Sequence, residues 1–161
     1  MGVALNRHAE NLVPGESTGA QGPARYQATY TVTANGSTDN TTVGSASNPQ
    51  GPIGVEGWAE VDIDIFLSAI TGTSIQFFVD RQGTDQRWYN VATGTALTTA
   101  STGGTPGNGG TVVAGGTSFS IGPGLSGTNG VAVGLGKAIR IRWVGVALTS
   151  ATFTISMIGK S

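Results

Sequence analysis

The chain has 161 residues, enough for one domain with a substantial core and too few for two of ordinary size. Only 11% of residues are charged and the formal net charge is -1, which argues against a nucleic-acid partner, because phosphate backbones call for a basic stripe. Cysteine is absent, so disulfides, thiolate metal sites and thiol nucleophiles are excluded, and hydrophobic residues at 38% in ordered patterns set the chain apart from disordered ones.

The 27 glycines and 6 prolines punctuate the chain densely, which suits many short strands joined by turns and leaves little room for helix. Residues 1–24 are polar, carry Pro14, Gly15, Gly19, Gly22 and Pro23, and show no sustained period, so they read as an extended N-terminal arm. The apolar residues of that arm, Val3, Leu5, Leu12 and Val13, either dock on a neighbouring subunit or belong to an unattached terminus. The start lacks a basic segment followed by an apolar run, and no stretch reaches the roughly 18 apolar residues that cross a bilayer. A protein made in a cytoplasm, without a membrane partner, is the expectation. Asn6 stands where a myristoylation signal prefers Ser or Thr, so no lipid anchor is read.

From Arg25 the pattern becomes strict alternation, with Tyr26, Ala28, Tyr30, Val32 and Ala34 on one face and Gln27, Thr29, Thr31 and Thr33 on the other, which predicts a half-buried strand. Asn35-Gly36 and Asp39-Asn40 mark a turn, with a return strand over 41–46. The run from Val55 to Ile70 places Ala59, Val61, Ile63, Ile65 and Leu67 on a core face and Glu60, Asp62 and Asp64 opposite, until Phe66 interrupts the polar side. Turns at Thr71-Gly72-Thr73 and Gln82-Gly83-Thr84 then make residues 58–91 read as a three-strand antiparallel meander. The Gly, Thr and Ser-rich span 93–130 reads as long loops, with strands only over 111–114 and 118–121. Two strong strands close the chain, Ala138 to Ala147 and Ala151 to Ile158. The fold class is therefore all-β, a single antiparallel β-sandwich or jelly roll of about eight strands over residues 25–161, behind the arm.

Catalytic chemistry finds little purchase. The one histidine, His8, lies in the arm, so a Ser-His-Asp triad has no base, and a non-enzymatic protein without cofactors is expected. Gly122-Pro123-Gly124-Leu125-Ser126-Gly127 spells the dinucleotide fingerprint, but Thr128-Asn129-Gly130 cannot open the helix that the fingerprint needs. Glu60, Asp62 and Asp64 can offer oxygens to calcium; the simpler reading is a solvated sheet face, or partners for Arg140 and Arg142 across strands. Trp58, Trp88, Tyr89 and Trp143 raise the question of a carbohydrate platform. Trp143 shares the phase of Ile139 and Ile141 and belongs to the core, while Trp88 and Tyr89 point to opposite faces, leaving them as alternative carbohydrate contacts. The Asn35-Gly36-Ser37 and Asn40-Thr41-Thr42 triplets read as turn chemistry rather than glycosylation sites.

The strand ending at Thr71-Gly72-Thr73, the next strand running into the Trp88 to Val91 unit, and Arg140-Ile141-Arg142-Trp143 followed by Phe153-Thr154-Ile155-Ser156 carry a resemblance. In this texture the chain resembles small β-sandwich virion proteins of tailed bacteriophages. The resemblance implies a head decoration or cement protein on the outer capsid surface, made in the host cytoplasm, partnered by the major capsid protein and assembled as a homo-oligomer, with a trimer favoured. It also implies that the Arg-x-Arg-Trp strand pairs with the Phe-Thr-Ile-Ser strand, and that Val3, Leu5, Leu12 and Val13 make the capsid or subunit contacts. The alternative is a tail, fibre or adhesin module that binds carbohydrate through Trp88 or Tyr89.

Overall fold

A computed structural model describes residues 25–39, 52–98, 100, 115–126 and 130–161. The arm, with His8, Val3, Leu5, Leu12 and Val13, and the strands expected over 41–46 and 111–114 lie outside the described residues. Every regular element among the described residues is a strand: β1 (Arg25–Val32), β2 (Gly36–Ser37), β3 (Ile53–Gly54), β4 (Glu60–Thr71), β5 (Ser74–Gln82), β6 (Trp88–Thr93), β7 (Gly116–Ile121), β8 (Gly130–Val131), β9 (Ala138–Val146) and β10 (Ser150–Lys160). One sheet runs in the order β1-β10-β4-β7-β8 and the other β2-β9-β5-β6, with β3 also paired to β9. All pairings are antiparallel except β7 with β8.

The two sheets face each other across one sandwich-like core. Alternation decides which face each strand contributes: Ala28, Tyr30 and Val32 from β1, Val61, Ile63, Ile65 and Leu67 from β4, Ala151, Phe153, Ile155 and Met157 from β10 meet Ile75, Phe77 and Val79 from β5 and Ile139, Ile141 and Trp143 from β9. Aromatic rings bridge the layers. Trp143 lies 5.8 Å from Tyr30 and 5.2 Å from Phe153, and Phe77 meets Phe153 edge-on at 4.8 Å, separations at which ring quadrupoles attract. The buried indole keeps a partner, because Trp143 Nε1 donates to the Ala34 carbonyl at 2.9 Å.

Two expectations about neighbours are corrected. Residues 58–91 are no meander: β4 and β5 belong to different sheets, and Thr71-Gly72-Thr73 carries the chain from one to the other. Nor do β9 and β10 pair, for Ala147 to Thr149 make a second crossing and set Trp143 opposite Phe153 across the core. The physical reason is shared. Alternation reports which side of a strand is buried, and a strand followed by a tight turn looks alike whether its successor pairs beside it or packs over it.

The two crossings brace each other. Thr73 N donates to the Val146 carbonyl at 2.9 Å and Thr149 N to the Thr71 carbonyl at 2.8 Å. Ala147 adopts φ of 48°, and a Cβ on Gly72 would sit 2.8 Å from the Ala147 carbonyl oxygen, so only glycine lets the corners approach this closely. Asn35-Gly36 departs from the expected turn as well, since Gly36 and Ser37 form β2 against Trp143 and Arg142 of β9.

Two register shifts re-aim side chains. Between β4 and β10 the pairing slips where Thr152 faces Ala69 and Phe153 faces Leu67, leaving Ser68 over; its Oγ donates to the Thr152 carbonyl at 3.0 Å. The slip turns Ile70, rather than Ala69, towards the core. Between β5 and β6, Val79 faces Ala92 but Asp80 faces Asn90, so Val91 is the extra residue and Asn90 shares the outer face with Asp80.

Candidate interaction surfaces

The outer face of the β2-β9-β5-β6 sheet is built around one carboxylate. Asp80 follows Val79 on the outward phase of β5, yet it is only 2% exposed, because Arg140 and Arg142, two residues apart on β9, lie over it. Arg140 Nε and Arg142 Nε each donate to Asp80 Oδ2 at 3.0 Å, while Asn90 Nδ2 and Arg142 Nη2 donate to Oδ1 at 3.1 and 3.3 Å. Burial alone would raise the Asp80 pKa; the donors Arg142, Asn90 and Arg140 outweigh it and hold the carboxyl below the ordinary carboxylate value.

Each guanidinium also lies over a ring. Arg140 sits 4.6 Å from the Trp88 ring centroid and Arg142 4.2 Å from that of Phe78. A second carboxylate, Asp39, reaches Arg140 Nη1 at 3.2 Å and takes the Ser37 hydroxyl, which ties the end of β2 into the cluster. Two cations and two anions thus cancel locally, and the layers of ring, guanidinium and carboxylate hold the face rigid.

This arrangement places the aromatic candidates. Trp88 is half-buried with Arg140 over its ring, whereas Tyr89 is 46% exposed near the start of β6 and donates its hydroxyl to Asp85 Oδ2 at 2.6 Å. That bond, with the Arg87 backbone amide, holds Asp85 below the ordinary carboxylate range. The two rings are not brought to one face. Trp58 is buried against Gly159 in the core, and Trp143 is fully buried.

The outer face of the other sheet is different in kind. Its β1 and β10 rows present hydroxyls in register, with Thr29 and Thr154 hydrogen-bonded at 2.8 Å and Thr31 and Thr152 at 3.2 Å. Phe66, 37% exposed, stands beside Thr154 on the next strand. Glu60 and Asp62 do not pair with Arg140 or Arg142, which belong to the opposite sheet; both bind Lys160 Nζ at 2.7 Å, and Ser120 Oγ donates to Asp62 at 2.8 Å. Lys160 chiefly, with help from Ser120, keeps Asp62 below the usual carboxylate value against the opposing effect of burial. Asp64 is raised, first by burial and then by the charge of Asp62. The three carboxylates therefore do not converge, and no metal-holding group of three is found among the described residues.

At the sheet ends, β1 is the last strand of its sheet, and its outer edge carries no strand among the described residues. It begins at Arg25, directly after the 1–24 segment. Residues 122–126, the described part of the glycine fingerprint, form a bend after β7 in which Leu125 N approaches the Gly122 carbonyl at 3.4 Å. Asp80, Asn90 and the aromatic stacking of both arginines went unread in the sequence. The signal that was available is the pair of outward arginines two residues apart on one strand, which demands a carboxylate on whichever strand lies alongside. A scan against protein-family models finds no match for the chain, and a comparison with curated proteins finds none either.

Proposed function

We propose that this chain is a virion structural protein, a phage head decoration protein that binds the lattice of the major capsid protein on the outer capsid surface and links neighbouring capsid subunits, as a homotrimer made in the host cytoplasm. The observation that carries the reading is the position of β1 at the edge of its sheet. No strand flanks its outer side among the described residues, an edge strand is a template for strand addition, and β1 starts where the apolar-spotted 1–24 segment ends. The resemblance of the Thr71-Gly72-Thr73, Arg140 to Trp143 and Phe153 to Ser156 units to small virion proteins points the same way.

We further infer a jelly roll of eight main strands. The pairings nest, with β1 on β10, β2 and β3 together on β9, β4 on β7 and β5 on β6, and a nested series of antiparallel pairs rolled into two sheets is the jelly-roll plan. Such a scaffold offers two outer faces to a lattice in which many weak contacts act together.

The test is co-sedimentation with heads assembled from the partnering major capsid protein. Deleting residues 1–24 should leave the strand circular dichroism and melting of the domain intact and weaken capsid binding by about tenfold or more. Undiminished binding by the truncated protein would remove the arm from the mechanism.

A further inference from the structure

Beside the starting half of β7, where the edge of that strand meets the segment after β6 from the opposite sheet, lies a cavity of about 510 Å³. That size falls in the range of clefts that hold small organic ligands. Two cross-strand pairs form its rim: Asp64 faces Ser118, and Phe66 faces Gly116. The segment after β6, bonded to β5 of the opposite sheet, forms the other wall, with Gly94 fixed by its amide to the Phe77 carbonyl at 2.9 Å and Thr95 and Leu97 lining it; the buried Ile65 and Phe119 close the inner end.

Asp64 stands out for what it does not do. Every other carboxylate on this face is engaged, Glu60 by Lys160 and Asp62 by Lys160 and Ser120, whereas Asp64 has no hydrogen-bond or ion-pair partner among the described residues. The hydroxyls of Ser118, Thr117 and Thr95 around the cavity are likewise uncommitted among the described residues. Phe66 projects outward from a strand whose neighbours on that face are polar, and its β7 neighbour is a glycine, which sets no side chain against the ring on that side. A glycine opposite an exposed ring is the arrangement that lets a ligand approach a sheet closely.

We propose that this cavity binds a neutral sugar unit. An ionised carboxylate accepts two adjacent hydroxyl donors at once, the Ser and Thr hydroxyls serve as donor or acceptor to the next ones, and the apolar face of the Phe66 ring covers the C–H face of a pyranose. The charge pattern selects against acids. Asp62 lies two residues from Asp64 on the same strand face, and the one lysine nearby, Lys160, is already shared by Glu60 and Asp62. Burial and the Asp62 charge both press on Asp64, which makes hydroxyl donors the welcome occupants of its lone pairs. A metal ion is less well served, since Asp64 is the single carboxylate lining the cavity among the described residues. The lining includes Thr93 from the far end of β6 but neither Trp88 nor Tyr89, and the proposal does not depend on the capsid reading.

The experiment titrates the full chain with glucose, galactose, mannose and N-acetylglucosamine, with galacturonate and putrescine as charged comparators, observed by saturation-transfer and amide-shift NMR. At least one neutral sugar should bind, and Asp64→Ala and Phe66→Ala should each weaken it about tenfold or more. Both side chains are exposed, so their removal should leave the melting temperature close to that of the parent; Trp88→Ala should leave sugar binding unchanged. The proposal is overturned if no neutral sugar binds, if neither Asp64→Ala nor Phe66→Ala affects binding, if Trp88→Ala abolishes it, or if putrescine or galacturonate binds more tightly than every neutral sugar.

Discussion

Asp80 concentrates more interaction into one side chain than any other polar residue described above. Removing its carboxylate leaves Arg140 and Arg142 stacked on their rings with no common acceptor, Asp39 serving Arg140 alone. Asp80→Ala should therefore destabilise the domain by about 2–4 kcal/mol, in the lower part of the buried-pair range because both guanidiniums reach solvent. A urea titration with an unchanged slope and a lowered midpoint is the expected result. The same residue sets part of the acid limb. Its folded pKa is below the unfolded value of about 3.9, so its contribution is complete above that value and is lost as pH falls through the folded pKa. The urea midpoint of the parent should fall in that window, and Asp80→Asn should remove this component of the fall. In the sequence, Asp80 shows only an outward phase. Its burial is invisible there, because it comes from arginines some sixty residues later on a strand whose position the local pattern does not give.

Among the elements, the long strands were legible, while the two-residue strands β2, β3 and β8 and the joints were not. β1, β4, β9 and β10 follow directly from alternation between a β-branched or aromatic face and a hydroxyl or charged face. The extra residues at Ser68 and Val91 leave no such trace, since a bulge is a relation between two strands. The corners are the sharpest case. Thr71-Gly72-Thr73 reads as a hairpin turn, and what makes it a sheet-to-sheet crossing is the second corner at Ala147 pressed against it. Gly72→Ala tests that contact. The added methyl meets the Ala147 carbonyl and the Leu148 Cα, both backbone, at 2.8 and 2.9 Å, so neither can swing aside as a side chain would. A loss of about 1–3 kcal/mol in urea denaturation is expected, with the strand circular dichroism retained.

For the whole molecule, composition and pattern lead to an all-β chain with two buried faces, and they stop at the order of strands. Phe153 and Trp143 have the same inward phase whether β9 and β10 are neighbours in one sheet or facing members of two. The order is decided by which hydrophobic faces close over one another, a property of the complete set of strands. The candidate surfaces divide along the same line: Phe66 and the run of acidic residues were visible, but that Glu60 and Asp62 share Lys160 while Asp64 stays uncommitted follows from β10 and β7 flanking β4.

The pairing of β1 with β10 sets Arg25 across from Ile158, so the chain enters and leaves the fold at adjoining points on one rim. A polypeptide with neighbouring ends is a closed circuit with one cut, and the cut can be moved. A circular permutant that joins Ser161 to Arg25 through a short Gly-Ser linker, and opens in the exposed Asp85 to Arg87 turn, should fold to the same sheets and melt in a single transition. For engineered display the same adjacency has a spatial meaning: a passenger fused after Ser161 leaves from the rim at which Arg25 opens β1.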